Sequence, residues 1–147
     1  MRLLDVSILV HAHREDAPDH AFFHRWLLEL VNGREAYGVC DLVLSAFVRV
    51  VTHPRIFKEP STVDEALLFA EIVRGQPQCC VIAPGPRHWA IFRELCLRAS
   101  ARGNRAIDAY LAALAIESGS EWVTADRDYA RFPGLRWMHL KDGAAPA

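Results

Sequence analysis

Lysine is almost missing from this chain: of its 17 basic residues only Lys58 and Lys141 are lysines, and the other 15 are arginines. Arginine presents a planar fork of donors that suits phosphate groups and base edges. A GC-rich coding bias produces the same excess, so the count permits a nucleic-acid partner without arguing for one. A surplus of positive charge is also lacking. The 17 basic and 18 acidic residues leave a net charge of -1 and a pI near 6.6, which excludes a histone-like protein that holds nucleic acid by bulk attraction. Any polyanion must be met by a local patch. No apolar run approaches the roughly 18 to 20 residues of a membrane span, and Asp5 interrupts the start too early for a secretory segment, so a cytoplasmic protein with no membrane partner is expected. The four cysteines, Cys40, Cys79, Cys80 and Cys96, show no CxxC spacing, which argues against a zinc knuckle or a disulfide framework and for reduced, mostly buried thiols. GxxxxGK[ST], GxGxxG, GxSxG and HExxH are all absent, and with them the common phosphate loops, the serine-hydrolase elbow and the zincin helix.

What is present is ordinary globular material. At 147 residues, 52% hydrophobic and 24% charged, the chain closes one core and has no room for a second full domain. Short apolar runs at Leu3-Leu4, Tyr37 to Cys40, Cys80 to Ile82 and Trp122 to Thr124 are too brief for helices and read as buried strands, with an edge strand at Arg136 to Met138. Helical patterns lie between them, at Ser7 to Ala12, His20 to Val31, Leu42 to Thr52, Thr62 to Arg74, Pro86 to Ala101 and Ile107 to Ser118. Ser61 with Asp64 reads as a capping box, Pro86 as a first-turn proline and Gly119 as a positive-φ helix terminus. The alternation predicts an α/β fold with a short, mostly parallel central sheet between helical layers, over 1–142, and a frayed tail over 143–147.

Three aspartates gain meaning from this layout. Asp5 directly follows the first strand, ahead of Ser7, a good helix cap, and Asp126 follows the Trp122–Thr124 strand with Asp128 two residues on. Both fall at the carboxyl ends of parallel strands, where open α/β sheets bind ligands. Asp108 shares its helix face with Leu111, Ala112 and Ala115, so it points inward, where a carboxylate needs a partner or a cation. If the three converge, their repulsion raises a pKa or recruits a hard ion such as Mg²⁺, with Mn²⁺ as a substitute, and such a site suits metal-assisted phosphodiester hydrolysis. Singly, each has a plainer role: Asp5 as a helix cap, Asp126 and Asp128 as turn formers, Asp108 as a helix-start charge shielded by Arg105. His20 and His24 stand at i,i+4, but their aromatic neighbours assign them to surface or packing. Cys79 and Cys80 read as core filling, and Trp26, Trp89, Trp122 and Trp137 as core or dimer contacts.

Asp5-Val6-Ser7-Ile8-Leu9, Asp108-Ala109-Tyr110-Leu111-Ala112-Ala113-Leu114-Ala115 and Thr124-Ala125-Asp126-Arg127-Asp128-Tyr129, in this order, resemble the PIN-domain ribonucleases, and among them the VapC-type toxins of type II toxin–antitoxin modules. The segments Phe47 to Arg55 and Phe132 to Trp137 resemble an actinobacterial, mycobacterial-like branch. The resemblance implies a three-layer PIN fold and an Mg²⁺-dependent endoribonuclease that cuts single-stranded or loop RNA. It implies Asp5, Asp108 and Asp126 as metal ligands and catalytic acids, Asp128 as an accompanying acid, Ser7 and Thr124 as supporting polar residues, and Arg49 as an RNA contact. It further implies a homodimer and a cognate VapB-type antitoxin that blocks the crevice in a hetero-oligomer. One departure stands out: where the family carries a glutamate after the second strand, this chain has Ser45-Ala46-Phe47, with Asp41 or Asp128 as the available substitutes. The alternatives are a PIN-fold module that binds RNA or antitoxin with weakened chemistry, or another metal-dependent nuclease or phosphoesterase.

Overall fold

A computed structural model describes residues 1–143. The five strands are β1 (Arg2–Leu4), β2 (Tyr37–Val39), β3 (Cys79–Val81), β4 (Glu121–Thr124) and β5 (Trp137–His139). They form one sheet of order β3-β2-β1-β4-β5, parallel at every pairing, with Leu3 opposite Gly38 on one side and Trp122 on the other. The helices are α1 (Val6–His13), α2 (His20–Asn32), α3 (Asp41–Val51), α4 (Val63–Arg74), α5 (His88–Ala99), α6 (Asn104–Ser118) and α7 (Leu140–Gly143), with a 3-10 helix at Arg127–Arg131. None among the described residues is long and apolar enough to cross a membrane. The tail expected over 143–147 lies outside the described residues save for Gly143, which closes α7.

The strands carry apolar residues on successive positions because helices flank the sheet. Leu3, Leu4, Tyr37, Val39, Trp122 and Val123 are all fully buried, as parallel strands require. One helical set packs α2 and α3 against α1 and α4 against α3, and α5 with α6 forms another. In α6, Ala109, Ala112, Ala113 and Ala115 are wholly buried, and their small side chains bring the helix axis close to its neighbours. Gly103 (φ 58°) and Gly119 (φ 67°) bound this helix, the second as the positive-φ terminus the sequence predicts. His20 and His24 brace the α1–α2 corner: their Nδ1 atoms bond the carbonyls of His11 (2.9 Å) and Ala12 (3.1 Å), a packing role.

Several local expectations are corrected. The capping box is Thr62 with Glu65, not Ser61 with Asp64: Thr62 Oγ1 accepts from the Glu65 amide at 3.1 Å, and the Glu65 carboxylate accepts from the Thr62 amide at 3.1 Å. Ser61 is buried one residue earlier and bonds His13 and Arg14. Pro86 stands two residues ahead of α5, outside its first turn. Of the cysteines only Cys40 is buried, and Cys80 is exposed, because β3 lies at the edge of the sheet, where one side has no neighbouring strand. Trp122 is core, but Trp89 is 71% exposed, since α5 buries its other side against α6.

Candidate active site

The parallel strands β1 and β4 run side by side and release their chains at the same end of the sheet, which places Asp5 beside Thr124 despite the 119 positions that separate them. Asp5 caps α1 in place of the expected Ser7: its Oδ1 accepts from the Val6 amide at 2.7 Å. Its Oδ2 accepts from the hydroxyls of Thr124 at 2.5 Å and Ser7 at 2.8 Å. Those hydroxyls in turn accept from the amides of Asp126 (2.9 Å, to Thr124) and Ala125 (3.0 Å, to Ser7), so the loop after β4 is tied to the first turn of α1 through Asp5. Ser7 and Thr124 therefore hold the carboxylate in place. Asp5 is only 2% exposed, and burial, opposed by these hydrogen bonds, pushes its pKa up to about 6, with the Asp108 charge adding to the rise.

Asp108 enters from the second turn of α6, half-buried as its apolar face requires. Burial raises its carboxyl; the Tyr129 hydroxyl, donating at 3.3 Å to Oδ1, opposes that rise, and the Asp126 charge adds to it. Asp126 caps the 3-10 helix, accepting from the Asp128 amide at 2.9 Å. Tyr129 joins the three acids: nearly buried, with its phenol pushed upward first by burial and then by the charges of Asp5, Asp108 and Asp126. The cation beside Asp108 is Arg131 rather than Arg105. Tyr129 and Arg131 are the site residues that residue-by-residue reading missed. The available signal was position, since both lie on the 3-10 helix that Asp126 starts.

The remaining candidates lie further out. Asp128 turns toward solvent and pairs with Arg131 at 3.5 Å. Arg49 is exposed in the last turn of α3 and makes no ion pair among the described residues. Asp41, a candidate replacement for the missing glutamate, is held by Arg74 of α4 at 2.9 Å, and Ser45 is exposed on α3. Among the described residues no three of His, Cys, Asp and Glu form a ready cage for one ion. Asp5, Asp108 and Asp126 share one electric field. Two carboxyl groups held above their ordinary pKa by burial and by neighbouring acids are the condition a cation relieves, and an all-oxygen donor set fits a hard ion.

A PIN domain family model matches residues 2–135. The VapC ribonuclease Mb2897 of Mycobacterium bovis is 43% identical over 143 residues, 97% of each chain, and Ribonuclease VapC25 of Mycobacterium tuberculosis is 40% identical over 136 residues, 92% of this chain and 96% of that one. Among solved structures, VapBC2 from Rickettsia felis bound to a DNA fragment from its promoter superposes with a TM-score of 0.68 at 17% identity, covering 93% of this chain and 96% of that one. VapC20 of Mycobacterium tuberculosis, described as a Sarcin-Ricin loop cleaving toxin, gives 0.66 at 16%, covering 92% and 99%. At those identities the structures show the fold alone. The five-stranded parallel sheet is that of a PIN domain, and the chain belongs to the PIN-domain family. Within the family its full-length similarity is to the mycobacterial VapC ribonucleases.

Proposed function

We propose that this protein is the toxin of a VapBC-type module, a metal-dependent endoribonuclease that cuts single-stranded or loop RNA. The observation that carries the reading is the electrostatic coupling of Asp5, Asp108 and Asp126 to Tyr129, whose hydroxyl donates to Asp108, in a chain with relatives named ribonucleases that match 97% of its length. Bound Mg²⁺ supplies activation of a water and neutralises charge developing on the phosphate. Asp5 and Asp108 would hold it, and Asp126 lies close enough to complete the acidic field. Ser7 and Thr124 fix the Asp5 carboxylate, and Tyr129 fixes Asp108, so both acids meet substrate in one orientation. Asp128 lies at the rim, and Arg49 is the outer RNA contact. A VapB-type antitoxin, a homodimer and a cytoplasmic setting belong to the same proposal.

The test is cleavage of a folded RNA pool with Mg²⁺, with Mn²⁺ and with EDTA, by wild type and by Asp108→Asn, followed by sequencing of the new 5′ ends. Loss of cleavage by about two orders of magnitude or more in the variant and in EDTA is expected; equal cleavage sinks the assignment. One observation favours a second reading, a module that binds RNA or antitoxin without cutting: Ser45 stands where the family glutamate is expected, and Asp41 is held by Arg74. Calorimetric Mn²⁺ titration separates the two, since binding lost in Asp5→Asn supports the enzyme.

A further inference from the structure

The near-neutral total conceals one strongly basic arm. Between Arg87 and Arg105 the chain carries five arginines against a single acid, Glu94, a local charge of +4 in a protein of -1. Arg87 is occupied with the Glu117 carbonyl at 3.2 Å. The other four, Arg93, Arg98, Arg102 and Arg105, are exposed and make no ion pair among the described residues. On the same helix Trp89 is 71% exposed, its indole leaning on Phe92 with ring centroids 5.5 Å apart. Arg93 follows one turn later on the Trp89 face. An indole left this open by a domain with a complete core is a contact surface awaiting a partner.

The arm leads to the acids. In the corner between α5 and α6 the Arg105 amide bonds the Arg102 carbonyl at 3.1 Å, and Arg105 precedes Asp108 by about one helical turn. Arg105 is exposed and makes no ion pair with Asp108 or any other acid among the described residues. Unpaired arginines with an interleaved aromatic are the chemistry that holds a single-stranded nucleic acid: phosphates meet guanidinium forks, and an unpaired base stacks on the ring.

We propose that the Trp89–Arg93 face of α5 and the α5–α6 corner bind the RNA strand being cut, Arg93, Arg102 and Arg105 through phosphates and Trp89 through a stacked base. This rests on the ribonuclease reading for the identity of the strand, and it assigns to this arm the grip that the acidic crevice, repelling phosphate, does not provide. Sequence preference then arises partly at Trp89, away from the reacting phosphate.

The test is fluorescence anisotropy of a short, unstructured, labelled RNA titrated with full-length protein in EDTA at several salt concentrations. The double variant Arg102→Gln/Arg105→Gln should bind about tenfold more weakly, with a log–log salt slope shallower by about 1.4, near 0.7 for each single-strand phosphate left without its arginine. Trp89→Ala should bind on the order of tenfold more weakly with an unchanged slope, and Trp89→Phe should recover most of the affinity. Arg34→Gln, which precedes β2 at the opposite end of the sheet, should bind as wild type. Unchanged RNA affinity in the double variant and in Trp89→Ala overturns the proposal. So does a Trp89→Ala protein that alters sedimentation of the free protein yet binds RNA normally, which makes the face a protein contact. If Asp108→Asn cleaves as wild type, the nuclease reading fails while these binding results stand. If Asp108→Asn is inactive and the arm variants bind normally, only the present proposal fails.

Discussion

Replacing Asp5 with asparagine is expected to stabilise the protein at neutral pH, although Asp5 is the most connected residue of the acid site. Its carboxyl group titrates at about 6 in the folded chain, against an ordinary value of 3.8. The folded state thus binds the proton more tightly than the unfolded state. Ionisation at high pH disfavours folding by about 3 kcal/mol, a penalty complete above pH 6 that fades as pH falls toward 3.8. Asparagine is neutral throughout and caps a helix as well as aspartate does. Its oxygen can accept from the Val6 amide, and its amide can donate to the Thr124 or Ser7 hydroxyl, so the local hydrogen bonds survive. With about 2–4 °C per kcal/mol for a chain of this size, the melting temperature should rise by about 6 to 12 °C at pH 8 in EDTA. The advantage should vanish near pH 4, where the folded proteins are both uncharged at this position. Thermal unfolding by circular dichroism across that pH range measures it. A variant no more stable than wild type at pH 8, or a difference independent of pH, would refute the reasoning that burial of an ionised Asp5 strains the fold.

Millimolar Mg²⁺ should raise the melting temperature of wild type and narrow its gap to Asp5→Asn, because a ligand of the folded state stabilises by mass action; an equal shift in both proteins would place the ion elsewhere. Tyr129→Phe removes the hydrogen bond that restrains the Asp108 carboxyl, so the acid limb of the cleavage pH–rate profile should move to higher pH, with a stability loss of about 1 kcal/mol in urea. Ala112→Leu forces a larger side chain into the wholly buried face of α6 and should cost about 1–3 kcal/mol by urea midpoint. Ala90→Leu, on the exposed side of α5, should stay within about 0.5 kcal/mol.

Elements whose residues repeat with one period were legible from the chain alone. The strands at Leu3, Tyr37 and Trp122 read correctly because burial on both faces leaves a short run of apolar residues, and α6 read correctly because its apolar face is continuous. Asp5, Asp108 and Asp126 could be placed because each sits at a fixed point of those elements. What failed depended on neighbours distant in sequence. Cys80 looks like core until β3 is known to be an edge, and Trp89 looks like core until α5 is known to pack on one side only. Arg131, rather than Arg105, supplies the positive charge near Asp108 because the 3-10 helix brings its Tyr129 hydroxyl to the Asp108 carboxylate, a proximity no local pattern encodes. The caps failed by one or two residues, since several adjacent hydroxyl and carboxyl groups suit a helix start equally well and tertiary contacts choose among them.

The central strand β1 precedes both of its hydrogen-bonded neighbours in the chain. Its partner across the acid site, β4, ends only at Thr124. A growing polypeptide therefore has no assembled acid site until β4 and the 3-10 helix after it have left the ribosome: before then Asp5 lacks the Thr124 hydroxyl, and Asp126 and Tyr129 are missing from the fold. For a protein whose activity would be directed at RNA, this chain order delays any cutting centre until the segment from β4 to the 3-10 helix is free to fold onto β1.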